Sequence, residues 1–328
     1  MLNFFRNKLV VNLAWVVIFS IAIQVFWLFY LPQNIAITSN SPLLKYWLPQ
    51  LTTTANGFYI SLAIVFIGTL LAGFAYNQII NNNEVLFRQS FFPVLFFFYL
   101  CHLFGIQNLL SPQFLASMFL LLVVYKFLSL DPRNIKTTPF LDMGFFMAAA
   151  FCILPDAILF LPALLLSLIV AGYLRIKNFL LLVTGLSIPI YFLWIGYYLA
   201  GQTDVYYTLF DFDFLLFDTE RFTQLSLYDS IALGYVLLVL LISLVNLQGN
   251  FSKNTIRTRR SQQMLLSFLV SGIACVIFSK APVKQAFTML ALPLSPFLSY
   301  YFLKTKRPLW RETLFALFFI IIIIVAVA

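Results

Sequence analysis

Eleven apolar runs of roughly membrane-spanning length follow one another along the 328-residue chain, and the short gaps between them alternate between basic and non-basic. A helix needs about 20 apolar residues to cross roughly 30 Å of hydrocarbon. In lipid every backbone polar group must be satisfied internally, which leaves helices or closed barrels. Barrel strands alternate apolar and polar residues over about 10 positions, whereas these runs are continuously apolar. The pattern predicts an all-α, polytopic transmembrane protein of about 11 spans, at 9–31, 53–76, 90–108, 111–128, 138–154, 157–174, 179–199, 229–247, 263–279, 283–303 and 312–328. No stretch outside the runs is long enough for a soluble domain of ordinary size. Residues 1–328 therefore read as a single transmembrane domain, with external segments 32–52 and 200–228 and a basic cytoplasmic loop 248–262.

Orientation follows from the cations. With the N-terminus in the cytoplasm, 16 of the 20 Lys and Arg residues fall inside and Lys45, Arg221, Lys280 and Lys284 fall outside. Excess Lys and Arg in cytoplasmic loops is the rule for inner-membrane proteins, so the C-terminus is expected outside and the protein in a bacterial inner membrane, in contact with its lipids. Arg6 and Lys8 resemble a signal n-region. Leu9 to Leu31 is too long for a signal h-region, however, and is expected as a retained first span. The net charge of +9 is spread over the cytoplasmic gaps, which suits anionic lipid rather than nucleic acid. Cys101, Cys152 and Cys275 all lie in predicted helices and read as apolar fillers. Residues 138–174 carry basic flanks on both sides, so two crossings with a tight turn at Pro155-Asp156 are expected rather than one helix of about 55 Å.

The external side holds the chemistry-bearing residues. Asp156, Asp204, Asp211, Asp213, Asp218, Glu220 and Asp229 all fall there. The acids of 204–220 interleave with aromatics, as in an element lying in the interface with rings down and carboxylates up. Asp156 and Asp204 are candidate catalytic bases. Lys280 and Lys284, four residues apart, are expected on one helix face; with Arg221 they form a candidate phosphate-binding set. Their other reading is snorkelling at span ends. His102, the only histidine, is a further candidate, read either as a base or as a packed neutral side chain; a lone histidine makes no metal site. Asp142 is placed to cap its helix or to pair with Lys136 or Arg133. Asp211-x-Asp213 has the form of a metal-binding pair, and equally of interfacial carboxylates between Phe210, Phe212 and Phe214. No metal and no cofactor is expected, and no Walker loop or dinucleotide fingerprint occurs. No span carries a carboxylate near its centre, which disfavours an ion-coupled transporter.

The stretch from Asp142-Met-Gly-Phe through Ile153-Leu-Pro-Asp156 to Leu164, a short span, a Leu-Pro turn and a second apolar run, resembles the middle of polytopic GT-C-type glycosyltransferases and polysaccharide polymerases. The whole chain, including Leu292-Pro-Leu-Ser-Pro296, the basic patch after it, Trp310-Arg-Glu312 and a last apolar helix, resembles an uncharacterised family of bacterial polytopic inner-membrane proteins. The GT-C resemblance implies action at the outer leaflet on a glycan linked to a polyprenyl-phosphate carrier, with Lys280, Lys284 and Arg221 on the phosphate and Asp156 or Asp204 as base. GT-C enzymes place a catalytic acid in the first external loop; segment 32–52 contains none, and the first acid of the chain is Glu84. The other reading is a non-catalytic membrane subunit of a cell-envelope or secretion assembly, with other membrane proteins as partners and the 39 Phe residues packing its helices. A transporter is the third.

Overall fold

A computed structural model describes residues 10–30, 43–44, 48, 54–130, 136–210, 219–304 and 308–327. Eleven helices of ten residues or more lie among them: α1 Val10–Tyr30, α2 Ala55–Asn82, α3 Phe92–Cys101, α4 Pro112–Leu128, α5 Thr138–Ile153, α6 Phe160–Val170, α7 Ile176–Leu199, α8 Leu227–Gln248, α9 Ile256–Phe278, α10 Val283–Lys304 and α11 Pro308–Val327. No strand occurs among the described residues. Seven of the helices, α1, α2 and α7 to α11, are long and apolar enough to cross a membrane. The other four, α6 counted with the turn Pro155–Leu159 that leads into it, have 10 to 17 residues. At 1.5 Å per residue α3 is only about 15 Å long, half a hydrocarbon core.

Helix ends follow local chemistry. Thr54 accepts the Gly57 N–H at 3.2 Å to start α2, and Ser111, followed by Pro112, accepts that of Phe114 at 3.2 Å to start α4. Such caps satisfy backbone donors that a helix start leaves unpaired. Ser226 and Asp229 form a reciprocal capping box at α8. Two expected boundaries are corrected. The span at 90–108 breaks at His102, after which a short 3₁₀ turn, Gly105–Asn108, leads to α4. The basic loop 248–262 is helical from Ile256 onward, because Thr255 caps the Thr258 N–H at 3.3 Å and Arg, Gln and Met continue a helix well. The polar first turns of α9 serve the α2–α3 connection. Arg257 donates to Asn83 Oδ1 at 2.9 Å, Thr258 to the Glu84 carbonyl at 3.0 Å and Gln262 to the Val85 carbonyl at 2.9 Å.

The centre of the bundle is α10. It has the lowest mean hydropathy of the seven long helices, 1.4, yet its 18-residue window is 100% buried, against α3, α4, α8 and α9. The most apolar, α8 at 2.4, faces outward over most of its surface. Lipid tails are as apolar as leucine, so no hydrophobic force drives the greasiest helix inward, and small and polar residues favour helix contact instead. Pro293 and Pro296 interrupt the α10 ladder. A proline removes the donor that the carbonyl four residues earlier would accept; the Leu292 carbonyl, left open by Pro296, accepts Tyr76 Oη–H at 2.7 Å instead. Rings from α3, α10 and α11 close the same core: Phe96 stacks on Phe302 at 5.0 Å and meets Phe318 edge-on at 5.3 Å.

The tightest helix contact is α5 on α7, where Gly144 and Gly185 cross. A methyl group on Gly144 would lie 2.2 Å from the Leu182 carbonyl oxygen, and one on Gly185 2.2 Å from that of Leu141. Apart from this crossing α7 is outlying, with 11% of its window buried. Asp142, in the first turns of α5, is bound by Lys126 of α4 at 2.7 Å. Lys126, on the helix packed beside α5, is a partner the sequence did not suggest; Arg133, one of the expected partners, lies outside the described residues.

Candidate functional site

The residues singled out in the sequence converge on one end of the bundle, where α8 and α10 begin and α9 ends. Asp156 occupies the 3₁₀ turn Pro155–Leu159 between α5 and α6. It is buried, and its carboxylate accepts the Ser279 hydroxyl in a very short hydrogen bond. Ser279 Oγ in turn accepts the Ala281 N–H at 3.0 Å, fixing the turn from α9 into α10. Burial holds the Asp156 carboxyl above the ordinary carboxylate range, opposed by the Ser279 bond and the positive fields of Arg221 and Lys280. Lys280 is exposed.

Arg221, on the one-turn helix Glu220–Thr223, is buried. Its guanidinium donates to the carbonyls of Ile277 at 3.3 Å, Val276 at 3.4 Å and Ala281 at very short range. The last carbonyls of α9 have no partner within the helix, and a cation at a helix C-terminus is favoured by the dipole. Arg221 therefore ties the segment before α8 to the end of α9.

Lys280 and Lys284 do not share a helix face. Lys280 lies in the turn before Pro282, and α10 begins at Val283. Lys284 Nζ sits 2.6 Å from Asp229 Oδ2, with the Asp229 side chain 2% exposed and that of Lys284 35%. The same carboxylate accepts the Ser226 N–H at 3.0 Å. Gln107 donates to the Lys284 carbonyl at 2.9 Å, and Phe104 lies 6.0 Å from the ammonium. The acid nearest this lysine is thus Asp229. Asp229 belongs to the capping box that starts α8, but nothing in the sequence linked it to position 284.

His102 follows α3 and is fully buried. Its ring nitrogens meet Thr69 Oγ1 at 3.1 Å and Asn108 Oδ1 at very short range, and its carbonyl accepts Trp27 Nε1–H at 2.8 Å. The Asn108 amide nitrogen donates to the Gly105 carbonyl at 2.9 Å, which leaves its oxygen to accept from Nδ1–H. Nε2 meets a Thr69 hydroxyl that also reaches the Val65 carbonyl at 2.8 Å, so both ring nitrogens face polar partners in a packed imidazole. Its two side-chain partners, on α2 and on the turn after α3, carry no signal in the sequence.

Asp204 stands apart. It is exposed on the short helix Thr203–Tyr207, which packs on α7, with Tyr206 and Leu209 buried against Phe151 of α5. Asp211, Asp213 and Asp218 lie outside the described residues. Among the described residues no three His, Cys, Asp or Glu side chains are placed to hold a metal ion.

The arrangement joins Asp156, Ser279, Arg221 and Lys280 in one cluster and Asp229, Lys284 and Gln107 in another, bridged by the turn at Ser279–Pro282. No curated protein and no solved structure matches the chain. A family profile described as a family of unknown function, DUF6427, matches residues 16–328, and the chain belongs to that family.

Proposed function

We propose that this protein is a non-catalytic, membrane-embedded subunit of a bacterial cell-envelope or secretion assembly, carried by a single domain of about eleven spans with its N-terminus in the cytoplasm. The observation that supports this reading is that the candidate reactive groups are engaged by other groups of the protein itself. Arg221 binds three backbone carbonyls, Lys284 a buried carboxylate, and His102 a threonine and an asparagine. Buried polar groups satisfied in this way set the geometry of a packed bundle. A phosphate bound by Arg221 and Lys284 would have to share their donors with the partners they already hold.

A second reading keeps one observation of its own. A buried carboxylate beside Ser279, in the field of Arg221 and an exposed Lys280, is the pairing that an outer-leaflet enzyme acting on polyprenyl-phosphate-linked glycan needs in a base and a phosphate contact. The GT-C resemblance is the other support for it. Native mass spectrometry of the protein gently solubilised from its own membranes separates the two. The subunit reading expects a fixed-stoichiometry protein complex without a polyprenyl phosphate. A bound polyprenyl phosphate and no protein partner would overturn it, and turnover abolished by Asp156→Asn and by Lys280→Ala would then establish the enzyme.

A further inference from the structure

At the opposite end of the bundle, between the last turns of α2 and α4, lies a cavity of about 380 Å³. Its polar lining is made of Gln78, Asn82, Asn83 and Tyr125, and its apolar lining includes Ile79 and Leu121. The lining contains no carboxylate. Gln78 and Asn82 are one helical turn apart and exposed, and among the described residues neither amide is bound to another protein group. Asn83 is held differently: it donates to the Ile79 carbonyl at 2.9 Å and accepts from Arg257 at 2.9 Å. The Arg257 guanidinium is thereby held on a residue that lines the cavity.

Ile60, Ile64, Ile67, Leu71, Ala75, Gln78 and Asn82 recur at intervals of three and four residues, so they form one stripe along α2. The stripe is outward-facing over its apolar length, with Ile67 56% and Leu71 67% exposed. It turns from aliphatic to carboxamide at the cavity. From Ile67 to Gln78 the helix rises about 16 Å, close to one leaflet of a hydrocarbon core roughly 30 Å thick. An amphiphile lying along this stripe places its chain on isoleucine and leucine and its headgroup among the amides.

We propose that this groove is a binding site for the headgroup of an anionic phospholipid. Its phosphodiester oxygens accept hydrogen bonds from the Gln78 and Asn82 amides and from Arg257, and an acyl chain runs along the Leu71–Ile60 stripe. The sign of the charge follows from the cation at the rim and the absence of lining carboxylates. Attachment to a lipid, rather than to a free phosphate, follows from the continuity of the amides with an exposed aliphatic stripe of leaflet length.

Native mass spectrometry of the full chain in detergent, titrated with phosphatidylglycerol, phosphatidylcholine or glycerol 3-phosphate, tests this. Phosphatidylglycerol adducts are expected on the wild type well above those of phosphatidylcholine. The Gln78→Leu, Asn82→Leu double variant is expected to lower them at least tenfold, about the factor for losing one hydrogen bond to a charged group. Ala75→Phe, which fills the groove and leaves the amides in place, is expected to lower them similarly. All three positions are exposed, so the fold should survive, and an unchanged melting temperature confirms that it does. Wild-type adduct levels in both variants, equal binding of phosphatidylcholine, or displacement of the lipid by equimolar glycerol 3-phosphate would overturn the proposal.

Discussion

Replacing Gly185 with alanine puts a methyl carbon 2.2 Å from the Leu141 carbonyl oxygen and 3.0 Å from the Phe145 nitrogen. Ordinary contact begins near 3.4 Å, and both obstacles are backbone atoms that cannot rotate away, so α5 and α7 must part by about 1.2 Å. A gap of about 1 Å forfeits roughly half of each pair's dispersion attraction, and on the order of 40 carbon pairs at about 0.15 kcal/mol hold such a crossing, which makes the loss about 3 kcal/mol. Alanine recovers about 1 kcal/mol of helix propensity, leaving a net cost of about 2 kcal/mol. For a chain of this size that lowers the melting temperature by about 3 °C. A thiol-reactive dye reads the transition, because Cys101, Cys152 and Cys275 are all buried in the folded protein. Gly196→Ala is the internal control: it lies on the same helix with nothing within 4 Å of its would-be methyl group, and should leave the melting temperature unchanged or slightly higher. If Gly185→Ala melts with Gly196→Ala rather than below it, the close crossing of α5 on α7 is refuted.

Tyr76→Phe leaves the Leu292 carbonyl with only the longer contact from the Ser295 hydroxyl at 3.4 Å, and should cost about 1 kcal/mol in detergent unfolding; no change would mean that the Ser295 hydroxyl replaces it fully. Lys284→Met isolates the buried Asp229 carboxylate and should destabilise by about 2–3 kcal/mol, below the range for fully buried pairs because Lys284 is part exposed. The double variant with Asp229→Asn should recover part of that loss, and strict additivity would refute the coupling. Asp156 binds its proton more tightly in the folded chain than in the unfolded one. Its contribution is therefore most favourable below the ordinary carboxylate pKa of about 3.9 and is lost as pH rises from there through the folded value. Asp156→Asn should flatten that part of the melting-temperature profile, and an unchanged slope would mean that Asp156 is not its source.

The run lengths and the cation pattern were legible because each rests on one-dimensional information. Helices begin within a few residues of the expected positions at Thr54, Ser111 and Ser226, where a Ser or Thr caps the start, but α9, capped by Thr255, begins seven residues earlier than expected. Expectation and structure part where hydropathy stood in for backbone geometry. Arg257 to Gln262 are polar but helical, and His102 to Asn108 belong to an apolar run but not to a span. At the candidate site the grouping of Asp156, Arg221 and Lys280 at one end follows from counting crossings. Their partners do not: Ser279, Asp229 and the α9 carbonyls are brought to them by the packing of α6, α8, α9 and α10.

Sequence alone determined that the chain is a bundle of apolar helices, because lipid permits continuous apolar runs no other form, and which residues gather at each end. Only the tertiary structure decided which helix is central, which glycines touch and which charges are paired. In lipid, hydropathy does not rank helices from inside to outside, so α10 is buried with two prolines and a row of hydroxyls while the more apolar α8 faces out. Those choices are made by shape and hydrogen bonds between segments about 40 to 220 residues apart, and no local pattern records them.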